Sequence, residues 1–209
     1  VPAPPRPQAA PRDSTRRALA IAQDAPVMVT VGRLAPQKGL DLLCDAASSL
    51  LGRPGLTWLV AGDGPLEAAV RDRVGAEGLP VRLLGRREDV ADLMAAADVV
   101  VSTARWEGQP LGIQEALALG SAVVATDVGG TAEVTGDAAV LVGTDGEEIG
   151  RAVAALLDDP DARAALSARA RTRAAQLPDL EVTLDQLEGV YRRTGTRAAP
   201  GAAGRVGYS

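Results

Sequence analysis

Four charged side chains in this sequence have the types and spacing to hold an anionic ligand that also carries hydroxyls. Arg33 and Lys38 lie in VGRLAPQKGLD, residues 31–41, between a β-branched run and a helical pattern, although the 209-residue chain has a net charge of −5. A phosphate in that loop would meet a guanidinium, an ammonium and, where the next helix starts, unpaired backbone N–H groups. Glu107 and Glu115 occur in WEGQPLGIQEALALG with seven residues between them. Glu107 falls in a loop and Glu115 one turn into a helix that begins near Leu111. A carboxylate at short range repels phosphate oxygens. Both glutamates must therefore accept hydrogen bonds from hydroxyls, on different sides of an anion seated at the helix N-terminus.

Other chemistries lack their residues. The chain has no His, the commonest general base and metal ligand, and its single cysteine, Cys44, rules out an internal disulfide and a paired-cysteine metal site. Cys44 shares a helical stripe with Leu40 and Ala47 and reads as a buried, inert thiol. The loop after the first strand is not a P-loop, because no Gly-Lys-Ser/Thr follows. It is not a dinucleotide-binding turn either, because Arg33 and Leu34 stand where small residues are needed. The acidic balance argues against sequence-independent binding to nucleic acid or anionic membranes. No apolar stretch is long enough to span a bilayer and no signal-like core opens the sequence, so the chain reads as soluble and cytoplasmic.

Loops so far apart in sequence need a scaffold that brings them together. Hydrophobic content is 46% but aromatic content only 2%, so the core must be packed from Val, Leu, Ala and Ile. Short continuous apolar runs predict strands over 27–32, 56–61, 81–84, 99–102, 122–126 and 138–142, each buried on both faces. Helical patterns lie between and after them, over 39–50, 66–76, 90–96, 111–119, 131–134, 147–158, 161–175 and 180–193, with a short helix over 14–23. This alternation predicts an α/β fold: a doubly wound, Rossmann-like parallel sheet of six strands with helices on both faces and its ligand edge at the strand C-termini. Residues 1–13, with five prolines, read as an extended linker, residues 14–193 as the Rossmann-like domain, and residues 194–209 as a flexible tail.

Four motifs occur in order: G-R-L-x-x-x-K-G from Gly32, A-G-D-G-P from Ala61, E-x7-E-A-L-x-x-G from Glu107, and A-T-x-V-G-G-x-x-E from Ala125. Together they resemble the C-terminal, donor-binding domain of the retaining family 4 (group 1) glycosyltransferases of GT-B architecture. The resemblance implies a nucleotide-sugar donor, with Glu115 on the ribose hydroxyls and Glu107 on the hydroxyls of the transferred sugar. It places the diphosphate among Arg33, Lys38 and the N–H groups of Leu111, Gly112 and Ile113, beside Gly32 and Gly64. The base would lie near Gly85, Arg86 and Arg87. Arg33, Lys38 and Glu107 then form the catalytic set, and the cations stabilise charge on the departing nucleoside diphosphate without a divalent metal or other cofactor. The implied reaction is transfer of a hexosyl group to a hydroxyl acceptor with retention. The implied partner is an N-terminal acceptor-binding domain of the same enzyme, and the proline-rich start resembles the linker between the two. The isolated domain is expected to bind donor, to transfer nothing efficiently, and to self-associate through an apolar stripe on its last helix.

One departure and several plainer alternatives accompany this resemblance. Pro110 stands where relatives often have Gly, which removes one N–H and stiffens the loop. Arg33 and Lys38 could be solvated loop cations, Glu115 an exposed helix carboxylate and Glu107 a helix cap. Gly62, Gly64, Gly129 and Gly130 could be turn glycines, Glu133 a brace for its own short helix, and Trp106 a core residue. At the level of function, the alternatives are a non-catalytic nucleotide-binding or scaffolding module and a sugar-nucleotide epimerase on the same fold. An NAD-dependent oxidoreductase is disfavoured by the missing Gly-rich fingerprint, and a phosphorylase by the lack of a signal for a pyridoxal-linked lysine.

Overall fold

The computed structural model describes residues 8–178, 184–185 and 188–191. Its strands are β1 (Val27–Val31), β2 (Thr57–Ala61), β3 (Val81–Gly85), β4 (Val99–Ser102), β5 (Val123–Thr126) and β6 (Val140–Val142). They form one six-stranded sheet in the order β3-β2-β1-β4-β5-β6, parallel throughout. The helices are α1 (Arg12–Ala18), α2 (Leu40–Ser49), α3 (Glu67–Glu77), α4 (Val90–Ala96), α5 (Leu111–Leu119), α6 (Thr131–Thr135), α7 (Gly146–Asp158) and α8 (Pro160–Gln176). From β1 to α8 the element ends fall within two residues of those read from the sequence. The helix expected over 180–193 lies mostly outside the described residues.

The apolar runs are continuous because the sheet is covered on both faces. Met28, Trp58, Val60, Val99 and Val101 point into one core with Leu43 of α2, Val70 of α3 and Ile149 and Val153 of α7. Their neighbours Val27, Val29, Leu59, Ala61 and Val100 point into the other, with Leu93 and Met94 of α4 and Ile113 and Leu117 of α5. Cys44 is buried in the first core, where desolvation pushes its thiol up to about 11, so it is inert as expected. Trp58, the largest buried side chain, donates its indole N–H to Thr30 Oγ1 at 3.0 Å, and Thr30 donates to the Val101 carbonyl at 2.8 Å. That chain of bonds satisfies the polar atoms between β2, β1 and β4.

The segment before β1 departs from expectation. The helix spans Arg12–Ala18 rather than 14–23, because the residues after it are needed as acceptors. The Arg16 guanidinium is fully buried and donates to the carbonyls of Ala96 (2.9 Å), Gln23 (2.8 Å) and Ala25 (2.8 Å) and to Asp98 (3.0 Å). A helix running through residue 23 would turn these carbonyls away. Asp98 also accepts from Arg12 (2.6 Å) and from the Val27 N–H (2.8 Å). Burial by itself would raise the Asp98 carboxyl, but these donors and the two guanidinium charges hold it below the ordinary carboxylate range.

Asp98→Ala strands the buried Arg16 charge and is expected to lower the unfolding free energy by about 3–5 kcal/mol, read from urea titration. Because the Asp98 pKa is depressed on folding, its contribution is complete above the unfolded value of about 3.9 and is lost as pH falls through the folded value. The gap between wild type and variant should therefore close in acid. An equal gap at pH 7 and pH 2 would refute the assignment.

Candidate functional site

Strand order reverses between β1 and β4, and the sheet opens there. The β1–β2 ladder runs to Val31 and Ala61, whereas β1 pairs with β4 only at Met28–Val99 and Val29–Val100. Beyond those pairs the strands diverge around a cleft of about 390 Å³. Gly32, Arg33 and Lys38 line it from the β1 side, and Ser102, Glu107, Gln109, Leu111, Gly112, Ile113 and Glu115 from the β4 side. A crevice at such a switch point is where doubly wound sheets bind ligands.

Backbone contacts stitch the two loops together. Lys38 ends a 3₁₀ turn, Pro36–Lys38, and its carbonyl accepts from Thr103 Oγ1 at 2.8 Å. The Arg105 N–H donates to the Gln37 carbonyl at 2.8 Å, and Gln37 Nε2 donates to the Trp106 carbonyl at 3.1 Å. Gly39 starts α2 with φ of 58°, and a Cβ there would collide with the Thr103 carbonyl oxygen, so only glycine allows this approach. On the far flank the Gly130 N–H donates to the Glu107 carbonyl at 3.2 Å, and a side chain on Gly129 would run into that same carbonyl. The Gly-Gly pair therefore braces the Glu107 loop.

The four charged residues sit in two different states. Lys38 Nζ and Glu107 Oε1 form an ion pair, with the Glu107 side chain only 9% exposed. Arg33 is exposed and has no ion pair among the described residues. Glu115 is half-buried in the cleft with no hydrogen-bond donor among the described residues, and desolvation raises its carboxyl above the ordinary range.

At the α5 N-terminus one expectation is corrected. Of the three N–H groups expected to face the diphosphate, that of Leu111 donates to the Gln109 carbonyl and that of Ile113 to the Pro110 carbonyl, each at 3.0 Å. The cause is Pro110 at the N-cap: its φ of −79° and ψ of 81° close an inverse γ-turn that takes the Leu111 N–H, and the Ile113 bond that follows is of 3₁₀ type. The Gly112 N–H keeps no acceptor among the described residues.

The structure thus brings Gly32, Arg33, Lys38, Glu107, Leu111, Gly112, Ile113 and Glu115 around one cleft. Gly64 instead packs against the backbone of Leu34 and supports the β1 loop from behind. Gly85 and Arg86 lie at the end of β3, two strands from β1, where the Gly85 carbonyl accepts the Gly62 N–H at 2.8 Å. Trp106 is not a core residue: it is 55% exposed beside Glu107. The Lys38–Glu107 pair has no signal in the sequence, since the partners are 69 positions apart. Among the described residues no helix is long and apolar enough to cross a membrane, and no group of three or more His, Cys, Asp or Glu side chains could hold a metal.

Comparison with known proteins identifies relatives of this arrangement. The family model described as "Glycosyl transferases group 1" matches residues 25–159. The alpha-D-kanosaminyltransferase of Streptomyces kanamyceticus is 31% identical over 185 residues, covering 82% of this chain and 47% of that protein. A lipopolysaccharide core biosynthesis mannosyltransferase of Rhizobium meliloti is 36% identical over 173 residues, covering 77% and 49%. The crystal structure of HepE from Anabaena in complex with UDP superposes with a TM-score of 0.79 at 26% identity, covering 87% of this chain and 52% of that one. The chain spans about half the length of the curated relatives it matches.

The desolvated Glu115 carboxylate opposes folding wherever it is ionised. With its folded pKa raised, this penalty is full above the folded value and vanishes below the unfolded value of about 4.3. Glu115→Gln is therefore expected to raise the melting temperature at pH 7, with the gain disappearing near pH 3.5. A variant less stable than wild type at pH 7 would contradict this.

Proposed function

The chain belongs to the glycosyl transferases group 1 family and carries the Rossmann-like sheet of one GT-B half, and from this we propose that its cleft binds a nucleotide-sugar donor for transfer to a hydroxyl acceptor with retention at the anomeric carbon. The observation that carries the proposal is the meeting of Arg33, Lys38, Glu107, Glu115 and the Gly112 N–H around one crevice. No simpler ligand uses all five. The diphosphate engages Arg33, Lys38 and the α5 N-terminus, where a 9-residue helix directs its positive end at the anion. Glu115, desolvated and without a donor among the described residues, takes the ribose diol. Glu107 takes hydroxyls of the transferred sugar, and the base extends toward Gly85 and Arg86 at the end of β3.

As the glycosidic bond breaks, negative charge grows on the nucleoside diphosphate, and the two cations stabilise it in place. The carboxylate nearest the sugar, Glu107, is engaged by Lys38 and is poorly suited to attack carbon. That supports a front-face transfer in which the departing phosphate oxygen takes the acceptor proton. The acceptor would be held by an N-terminal domain of the same enzyme facing the cleft. The complexes of HepE with UDP and with UDP-glucose support this reading of the ligand class.

Calorimetric titration of the chain with UDP, GDP and ADP is expected to give dissociation constants between roughly micromolar and millimolar for at least one of them. Arg33→Ala should weaken that ligand by about 1.5–3 kcal/mol, the scale of a charge-assisted hydrogen bond. Unchanged affinity would remove the phosphate assignment. Glu115→Ala should weaken the ribonucleotide more than its 2′,3′-dideoxy analogue, and equal losses would remove the diol assignment.

A further inference from the structure

Glu107 already occupies the ammonium that a diphosphate would need. Lys38 and Glu107 are ion-paired and mostly shielded, at 26% and 9% side-chain exposure, while Arg33 nearby is exposed and unpaired among the described residues. The backbone that carries each partner is held in place. The Lys38 carbonyl is held by Thr103, the Glu107 carbonyl by the Gly130 N–H, and Gly39 and Gly129 are jammed against the opposing loop. An anion that reaches Lys38 must therefore also come close to the Glu107 carboxylate, which repels it strongly in a partly desolvated site.

Resting on the nucleotide-sugar reading above, we propose that Glu107 is an exchange residue that favours the donor over the nucleoside diphosphate product. When the intact donor binds, phosphate draws the Lys38 ammonium and the sugar hydroxyls replace it as hydrogen-bond donors to Glu107. The shielded carboxylate stays satisfied. When the sugar has been transferred, those hydroxyls leave and Glu107 is left without a donor, facing a diphosphate of like charge. It then reclaims Lys38, one of the two cations holding the product, and the nucleoside diphosphate is left mainly to Arg33 and the Gly112 N–H. No covalent step is involved; the exchange is of one ammonium between a carboxylate and a phosphate.

The test is the ratio of the dissociation constants of UDP and UDP-glucose, with GDP and GDP-mannose as a second pair, measured by calorimetry on the 209-residue chain. Glu107→Gln keeps the shape and removes the charge. It is expected to bind the nucleoside diphosphate at least fivefold more tightly than wild type, while the nucleotide sugar gains nothing or binds more weakly. In a Lys38→Ala background the direct repulsion between Glu107 and the diphosphate remains, so the same change should still shift the ratio, but by less than half the factor seen with Lys38 present. Glu107→Ala, which removes the carboxylate altogether, should shift the product in the same direction and serves if the glutamine variant folds poorly. Equal gains for both ligands, no gain for the product, or a gain that is undiminished without Lys38 would overturn the exchange while leaving the donor site intact. Failure of wild type and variants alike to bind any of the four nucleotides would overturn the donor site and the exchange together.

Discussion

The seam between the loops leaving β1 and β4 is the constraint on which the site depends. Sheet hydrogen bonding between those strands ends at Val29 and Val100, so the ladder cannot position Lys38 or Glu107. Three hydrogen bonds from Thr103, Arg105 and Gln37, and one glycine pressed against the Thr103 carbonyl, do so instead. Divergence of the strands makes room for a ligand, and the seam limits how far they part. A second seam, from Gly129 and Gly130 to the Glu107 carbonyl, fixes the same loop from the β5 side. With backbone clamped on both sides, the freedom left in the site is chiefly that of the charged side chains.

Those side chains hold the site in an unfinished state. One cation is exposed, one carboxylate is desolvated without a donor among the described residues, and the remaining cation and carboxylate neutralise each other. A ligand with a single function cannot complete all four. On the reading proposed above, phosphate alone leaves Glu115 unmet, and a sugar alone leaves Arg33 unmet. A protein can carry such local frustration because the rest of the fold is consistent with itself: two apolar cores and a sheet whose strands suit burial on both faces.

The opposite edge of the sheet is organised by burial of charge with full satisfaction. Arg16, wholly enclosed, spends its donors on the carbonyls of Ala96, Ala22, Gln23 and Ala25 and on Asp98, and Asp98 in turn caps the Val27 N–H at the start of β1. The Ala10 N–H donates to Asp92 at 2.7 Å, so the segment ahead of α1 is also tied to α4. The two ends of β1 thus contrast. At its N-terminus ionic groups are paired and closed off, which suits stability, and at its C-terminus they are left partly unpaired and open, which suits binding.

The sequence by itself determined the alternation of strands and helices and the kinds of groups at the cleft. Both are local: an apolar run with β-branched residues signals a strand buried on both faces, and Gly32-Arg33 through Lys38-Gly39 declares its charge and its turn wherever it sits. Glu115 was legible for the same reason, being one turn into a well-marked helix. Local pattern could not reveal which groups would satisfy one another. That α1 ends at Ala18 follows from Arg16 claiming the carbonyls of Gln23 and Ala25. That Leu111 and Ile113 lose their free amides follows from how Pro110 tightens the turn above the cleft. Lys38 and Glu107 become partners across 69 positions because β1 and β4 are neighbours in the sheet, a fact of strand order that no spacing records. Pairing of charges is a property of distance in space, and only the folded chain sets those distances.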